Sequence, residues 1–194
     1  MYYTFYSFFM INVGYLGPEG TYCHQALDFF MQKSGGHFRT FYRLNIPELF
    51  SGLKEYGVDA IVVPLINSIA GPYRESARGL LEHEVVQEGS FDMKIDLALG
   101  IHPRSSLEQI TQILLRDTAL MECSTWLDEH FPHVIREEST STAAAMREIR
   151  NGNLMHVAVV GGVFGLKMYG LEIIERNIEN QKDNFTTFLY LKRK

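Results

Sequence analysis

The chain has 194 residues, of which 46% are hydrophobic and 21% are charged, and its formal net charge at pH 7 is −5. This composition is typical of a globular protein that can bury a core as one domain or as two small lobes. A negative net charge without a basic block argues against a nucleic-acid partner, and no apolar run reaches the roughly 18 residues that a membrane span needs.

Strand and helix patterns alternate along almost the whole chain. The predicted strands, in chain order, are Val13–Leu16, Phe38–Arg43, Ala60–Val63, Val85–Gln87, Ile95–Ile101, Ile110–Leu115, Val134–Glu137, His156–Val160, Leu171–Asn177 and Thr186–Leu191. One predicted helix begins near Thr21, and the others are Pro47–Tyr56, Tyr73–Glu82, Ala119–His130, Ser141–Arg150 and Val163–Tyr169. Such alternation predicts an α/β fold with mainly parallel sheets, whose ligands bind at the carboxyl ends of the strands.

Ten strands are many for one sheet, so we expect a single domain, residues 1–194, made of two lobes with a cleft between them. Lobe one would comprise about residues 1–92 and 175–194, and lobe two about residues 93–174. The strands Ile95–Ile101 and Leu171–Asn177 are the candidates for crossing between the lobes. The aromatic-rich segment Met1–Met10 lacks the features of a signal peptide, and we expect it to form an edge strand or a packing arm.

The turn Gly17-Pro18-Glu19-Gly20-Thr21 lies directly between a predicted buried strand and an amphipathic helix. A turn of this kind aims the unpaired N–H groups and the positive dipole end of the helix at the space above the strand, which favours a bound anion. The alternative is a tight turn in which Thr21 serves only as the helix N-cap. The residues alone leave both interpretations open.

Three further polar clusters lie where strands end or helices begin. They are Asn67-Ser68, Ser139-Thr140-Ser141-Thr142 and Asn184-Phe185-Thr186-Thr187-Phe188. Each cluster alone is explained by capping or turn chemistry. Together with the glycine turn, however, they predict a small anionic ligand that is held mostly by neutral hydrogen-bond donors.

The sequence resembles the prephenate dehydratase family from about Asn12 to the C-terminus. The stretch Val13–Tyr22 with His24-Gln25-Ala26 resembles the opening of that family. Val62-Val63-Pro64 with Asn67-Ser68-Ile69 and Gly71 resembles its V-P-x-E-N-S-x-x-G segment, and Ser141-Thr142-Ala143-Ala145 its S-T-x-x-A helix start. Its ending is matched by Tyr169-Gly170-Leu171, Asn177-Ile178-Glu179 and Asn184-Phe185-Thr186-Thr187-Phe188.

The resemblance implies a two-lobed, periplasmic-binding-protein-like fold with an active site in the cleft. It implies a lyase that converts prephenate, a dicarboxylate, to phenylpyruvate in phenylalanine biosynthesis without cofactor or metal. Thr186 would assist the departing hydroxyl, and Asn67 would be a second catalytic residue. The positions implied to bind the substrate are Gly17, Pro18, Gly20, Thr21, Ser68, Glu122, Thr140, Ser141, Thr142, Phe185, Thr187 and Phe188.

Four positions depart from the family pattern. Ile66 replaces a glutamate, Leu115 a serine, Glu122 a glutamine and Thr187 an arginine. The change to Thr187 removes a guanidinium that could steer a dianion. A carboxylate at Glu122 should repel a dianionic substrate unless it is protonated or points away.

These departures keep other functions open. The alternatives are a decarboxylase that retains the hydroxyl, an enzyme acting on a related cyclohexadienyl acid, and a binding protein that kept the cleft but lost the chemistry. Retention of Thr186 and of Asn67-Ser68 favours dehydration.

We expect no feedback inhibition through the phenylalanine-sensing ACT domain that most family members carry, because the sequence has no counterpart of it. Cys23 and Cys123 fit no zinc or redox spacing, so we expect a cytoplasmic protein. The family resemblance implies assembly as a homodimer or homotetramer.

Overall fold

The computed structural model describes residues 10–54, 57–139 and 141–194. The strands are β1 Met10–Leu16, β2 His37–Arg43, β3 Ala60–Asn67, β4 Gly71–Pro72, β5 Val85–Lys94, β6 Leu97–Ile101, β7 Gln112–Leu115, β8 Ile135–Glu138, β9 Val157–Gly162, β10 Glu172–Arg176 and β11 Phe185–Arg193. The helices are α1 Tyr22–Ser34, α2 Ile46–Gly52, α3 Arg74–Glu82, α4 Asp117–Glu122, α5 Ser124–His130, α6 Thr142–Gly152 and α7 Val163–Met168. Of the positions singled out from the sequence, residues 1–9 and Thr140 lie outside this description.

The strands form two sheets. The first sheet has the order β2-β1-β3-β11-β5, with β4 added to β3. In it β1 runs parallel to β2 and β3, whereas β11 runs antiparallel to β3 and β5. Alternate residues of β3 face opposite sides, as strand geometry requires. Val62 therefore packs with α1, while Ile61 and Val63 pack with α2.

The second sheet has the order β10-β6-β9-β7-β8. Here β7 is parallel to β8 and β9, and β6 is antiparallel to β9 and β10. Helices again cover both faces. Ala119 of α4 and Leu127 of α5 pack on one side, and Met146 of α6 and Leu166 of α7 pack on the other. Among the helices of the described ranges, none is long and apolar enough to cross a membrane.

The two-sheet α/β fold is confirmed, but the expectation of mainly parallel sheets is only partly right. The chain leaves the first sheet after β5, enters the second at β6, and returns between β10 and β11. This route adds β6 and β11 as strands that run opposite to their neighbours, so β6 pairs antiparallel with β9 and β10, and β11 pairs antiparallel with β3 and β5. The crossings therefore lie at residues 95–96 and 177–184, beside the strands β6 and β10 rather than within them.

Several element boundaries also differ from the expected ones. The predicted helix Ala119–His130 is two helices, because Cys123 (φ −116°, ψ 9°) leaves the helical conformation between α4 and α5. The strand expected to stop at Val63 continues to Asn67, past Pro64, which lies at an irregularity in the β3–β11 pairing. A proline without an N–H group is tolerated at such a position. The strand expected to end at Gln87 continues to Lys94 along β11, and α2 ends at Gly52.

Candidate active site

The glycine turn at residues 17–21 caps helix α1. The Thr21 hydroxyl accepts a hydrogen bond from the N–H of His24 (3.3 Å) and donates one to the carbonyl of Leu16 (3.1 Å). The N–H of Gly20 donates to Nδ1 of His24 (3.1 Å). The cap interpretation therefore describes the Thr21 hydroxyl in this structure, because both its donor and its acceptor capacity are used within the turn.

The same turn packs directly against the second sheet's helix α7. Gly20 has a φ of 83°, and a Cβ atom there would lie 2.7 Å from the ring of Tyr169. A Cβ atom on Gly165 would lie only 2.5 Å from the carbonyl oxygen of Gly20. The Tyr169 hydroxyl completes the contact by donating to the carbonyl of Glu19 (3.0 Å). The two halves of the molecule touch here with no room for added atoms.

A cavity of about 150 Å³ opens beside this contact, and we call it the glycine-turn cavity. It brings together the first and third sequence clusters, and its described lining is Gly17, Pro18, Gly20, Thr21, Tyr22, Gln25, Leu97, Arg116, Ser141, Thr142, Ala143, Gly161, Gly162, Phe164 and Gly165. Ser141 caps α6 by accepting from the N–H of Ala144 (3.0 Å). Within this set Arg116 alone carries a charge, so the cavity offers neutral donors and one cation to an anionic group.

The second and fourth clusters form a separate, buried network around Asn67. The side-chain N–H₂ of Asn67 lies 2.6 Å from Oδ1 of Asn184 and 2.9 Å from Oγ1 of Thr186. Its Oδ1 accepts from the N–H groups of Ile69 (3.0 Å) and Ala70 (2.8 Å). Asn67 is 6% exposed and Thr186 is 2% exposed. The amide therefore holds the turn after β3 against the start of β11.

Tyr73 connects Thr186 to the less buried surroundings. Burial raises the pKa of Tyr73, the side chains of Cys23 and Glu122 raise it further when they are ionised, and a hydrogen bond from the Thr186 side chain lowers it. Tyr73 is 38% exposed, whereas Thr186 is buried. The Thr186 hydroxyl thus reaches a partly open region through the Tyr73 phenol.

The remaining residues implied to bind substrate are dispersed. Ser68 accepts from the N–H of Phe185 (2.9 Å), and Phe185 is 41% exposed. Thr187 donates to Oδ1 of Asp92 on β5 (2.6 Å). Phe188 packs in the core beneath α1 and is buried. None of these four belongs to the described lining of the glycine-turn cavity.

A second cavity, of about 350 Å³, lies where the Asn67 network meets helix α4, and we call it the carboxylate cavity. Its lining is Ile69, Ala70, Thr118, Met121, Glu122, Glu179, Asn180, Gln181 and Asn184. Burial raises the pKa of Glu122, and the charge of Glu179 raises it further. Helix α4 extends from one cavity to the other. Arg116, which precedes the helix, lines the glycine-turn cavity, and Glu122, which ends the helix, lines the carboxylate cavity.

Sequence reasoning alone missed the placement of Tyr73 and Glu179. Tyr73 lies at the start of a helix and carries no motif, so only the folded contact with Thr186 reveals it. Glu179 was visible only as part of the ending motif. Two of the family departures also have a clear location: Leu115 is buried in the core of the second sheet, and Ile66 is 44% exposed on β3.

Comparison with known proteins matches the chain to one family. The family model for prephenate dehydratase matches residues 13–194. The bifunctional chorismate mutase/prephenate dehydratase of Escherichia coli is 31% identical over 187 residues, covering 94% of this chain and 47% of that protein. The prephenate dehydratase of Bacillus subtilis is 29% identical over 186 residues, covering 93% and 64%. The chain thus spans only part of the length of these relatives, about half in the bifunctional ones.

A solved structure shows the same fold. The prephenate dehydratase from Arthrobacter aurescens, in complex with L-Phe, superimposes with a TM-score of 0.81 at 23% identity, covering 95% of this chain and 61% of that one.

Proposed function

The chain belongs to the prephenate dehydratase family, and we propose that it converts prephenate to phenylpyruvate, carbon dioxide and water. The observation that carries this proposal is the glycine-turn cavity. There two family motifs from opposite halves of the chain meet around neutral donors and the guanidinium of Arg116. A dicarboxylate needs such donors, and an arginine pairs with a carboxylate through two parallel hydrogen bonds.

The chemistry suits a site built of positioned hydrogen-bond donors. Loss of the ring carboxylate as carbon dioxide leaves its electron pair to the ring, and departure of the hydroxyl group with its own bonding pair makes the ring aromatic. Aromatisation supplies the driving force, so the protein has to orient the carboxylates and stabilise the leaving oxygen. Preorganised donors are effective at both tasks.

In this proposal Arg116 binds one substrate carboxylate. Thr186 lies near the leaving hydroxyl, and Asn67 holds the Thr186 side chain in place. The 2.9 Å contact from Asn67 to Thr186 supports that division of roles, because it orients the Thr186 hydroxyl from a buried position. Tyr73 would relay this orientation toward the substrate, since it shares a hydrogen bond with Thr186 and is partly exposed.

The runner-up is a decarboxylase that leaves the hydroxyl on the ring. The observation in its favour is the set of family departures, above all an acidic Glu122 where the family has an amide. The retained Asn67–Thr186 contact favours dehydration instead. A non-catalytic binding protein would bind prephenate without changing it.

Product identification separates these functions. The purified chain is incubated with prephenate, and the products are identified by mass and ultraviolet absorbance, with the Arg116→Gln variant beside the wild type. Phenylpyruvate from the wild type, formed more slowly by the variant at low substrate concentration, supports the proposal. A non-aromatic hydroxylated keto acid contradicts it in favour of the decarboxylase, and binding without turnover contradicts it in favour of the binding protein.

We also propose that the protein acts in the cytoplasm as a homodimer or homotetramer. Cys23 and Cys123 are free and buried, and burial raises the pKa of each thiol to about 12. Such thiols resist oxidation and suit a reducing compartment. The assembly is proposed from the family resemblance. Light scattering that finds a monomer at micromolar concentration contradicts it.

A further inference from the structure

Glu179 is a buried carboxylate, and one of its two oxygens has no hydrogen-bond partner in the part of the chain that the structure describes. The residue is 4% exposed and lines the carboxylate cavity. Its Oε2 accepts a hydrogen bond from the N–H of Leu97 (3.0 Å), at the point where the chain enters the second sheet. Its Oε1 has no hydrogen-bond partner among residues 10–54, 57–139 and 141–194. A buried carboxylate oxygen without a hydrogen-bond partner is costly, so it favours a hydrogen-bond donor that enters the cavity.

Asn180 brings Glu122 to the same cavity. The N–H of Asn180 donates to the carbonyl of Glu122 (2.6 Å). The Asn180 side chain donates to the carbonyl of Met121 and the hydroxyl of Ser124 (both 3.0 Å), and accepts from the N–H of Thr125 (3.2 Å). These four contacts anchor the end of α4, which carries Glu122, to Asn180, the residue that follows Glu179. Because Asn180 holds the end of α4 beside it, the carboxyl groups of Glu122 and Glu179 line the same cavity.

We propose that Glu122, held beside Glu179 in the carboxylate cavity, is the general acid that protonates the departing hydroxyl of prephenate. This inference rests on the proposed dehydratase function. As the C–CO₂ bond breaks, its electron pair enters the ring, and the C–O bond to the hydroxyl breaks with its pair remaining on oxygen. The proton of the Glu122 carboxyl group moves to that oxygen and makes water. Glu122 is left as a carboxylate and takes up a proton from solvent before the next turnover.

The surroundings favour the protonated form of Glu122. Burial is the larger cause of its raised pKa, and the nearby Glu179 charge is the second. The other titratable groups that interact with Glu122 are Tyr22, Tyr73 and Cys123, and burial raises the pKa of each, so all three are neutral near pH 7. The described lining of this cavity contains no cation that would favour the charged form.

A neutral Glu122 also removes the conflict posed by its position. An ionised carboxylate there would repel a dianionic substrate, whereas a carboxylic acid can donate a hydrogen bond to it. Arg116 lies at the opposite end of α4, about 9 Å away at the helical rise per residue. In this proposal the substrate carboxylate and hydroxyl, which lie at opposite ends of the ring, face the two ends of α4.

The test compares three single substitutions by the pH dependence of prephenate turnover, with phenylpyruvate as the product followed. Glu122→Gln should lower kcat by about 10²-fold or more, the usual size of a general-acid contribution. Glu179→Gln removes the neighbouring negative charge, so the alkaline limb of the kcat profile should move to lower pH. Glu148→Gln, which removes an exposed carboxylate on α6, serves as the matched control and should leave kcat and its profile unchanged.

A second measurement does not depend on activity. The pKa of Glu122 is raised in the folded protein, so the folded state holds the extra proton. The stability this gives is fully present below the unfolded pKa and is lost as the pH rises through the folded value. The wild type should therefore lose stability relative to Glu122→Gln across that range, and Glu148→Gln should follow the wild type.

The outcomes separate the two proposals. Wild-type turnover to phenylpyruvate with full kcat retained in Glu122→Gln overturns the general-acid role and leaves the dehydratase function standing. Parallel pH–stability curves for the wild type and Glu122→Gln overturn it as well. A wild type that releases carbon dioxide but keeps the hydroxyl on its product overturns both, since no leaving group is then protonated.

Discussion

The substitution Asn67→Ala tests whether the buried amide network holds the candidate site together. The two side-chain N–H groups of Asn67 are shared among Oδ1 of Asn184, Oγ1 of Thr186 and the carbonyl of Phe185, and its oxygen accepts two backbone N–H groups, so four hydrogen atoms take part. Truncation to alanine removes all of these bonds at once. It also leaves the buried oxygen of Asn184, which is 2% exposed, without this donor.

The expected cost follows from the number of bonds. Each contributes a net value of about 1 kcal/mol, so the four together predict a loss of about 4 kcal/mol in the free energy of unfolding. For a chain of this length that loss corresponds to a fall in Tm of roughly 8–16 °C. The exposed Asn151 on α6 provides the matched control, because its substitution by alanine should change stability by no more than about 0.5 kcal/mol.

Urea unfolding followed by circular dichroism measures both variants under the same conditions. The reasoning requires a large shift in the midpoint for Asn67→Ala at an unchanged m-value, which indicates altered stability rather than an altered unfolded state. If the free energy of unfolding of Asn67→Ala lies within 1 kcal/mol of the wild-type value, the substitution behaves like one at an exposed site. That result would refute the assignment of Asn67 as the centre of a satisfied buried network.

Three further predictions concern the cavity and the hydroxyl. Arg116→Gln should raise KM for prephenate by about tenfold or more with a smaller change in kcat, because it removes a carboxylate partner; an unchanged KM in steady-state assays contradicts this. Thr186→Val should lower kcat by about 10²-fold, while Thr186→Ser, which keeps the hydroxyl, should retain most of it; equal losses in both variants would point to packing instead. Gly165→Ala should destabilise the protein by about 1–3 kcal/mol in thermal unfolding, because the new Cβ would lie 2.5 Å from the carbonyl oxygen of Gly20. In the control Gly52→Ala the new Cβ would lie 3.4 Å from Val58, so the loss of stability should be smaller. Equal Tm values for the two variants contradict the close contact between the two halves.

The sequence was sufficient to predict the alternation of strands and helices and the two-sheet architecture. Periodicity reports which face of an element is buried, and that signal was strong in β1 and α1. It does not report the direction in which a strand is paired, so the reversed strands β6 and β11 were not foreseen. Their direction follows from the two crossings between the sheets, which depend on contacts far apart in the chain.

The candidate site was predictable only where its residues carry local sequence signals. The glycine turn and the Ser141-Thr142 cluster carry local signals of capping and turn chemistry, and the structure brings them to one cavity. Thr186 and Asn67 were expected to be catalytic, and the structure places them together as a buried, hydrogen-bonded pair. The proximity of Glu122 to Glu179 joins residues 57 positions apart, through four hydrogen bonds of Asn180 that no sequence pattern encodes.

The most direct test of the proposed activity is the simultaneous measurement of carbon dioxide and phenylpyruvate released from prephenate by the purified chain. Loss of the carboxylate and of the hydroxyl in one reaction predicts that the two products form in equal amounts at every time point. Carbon dioxide released without an equal amount of phenylpyruvate would contradict the dehydratase function.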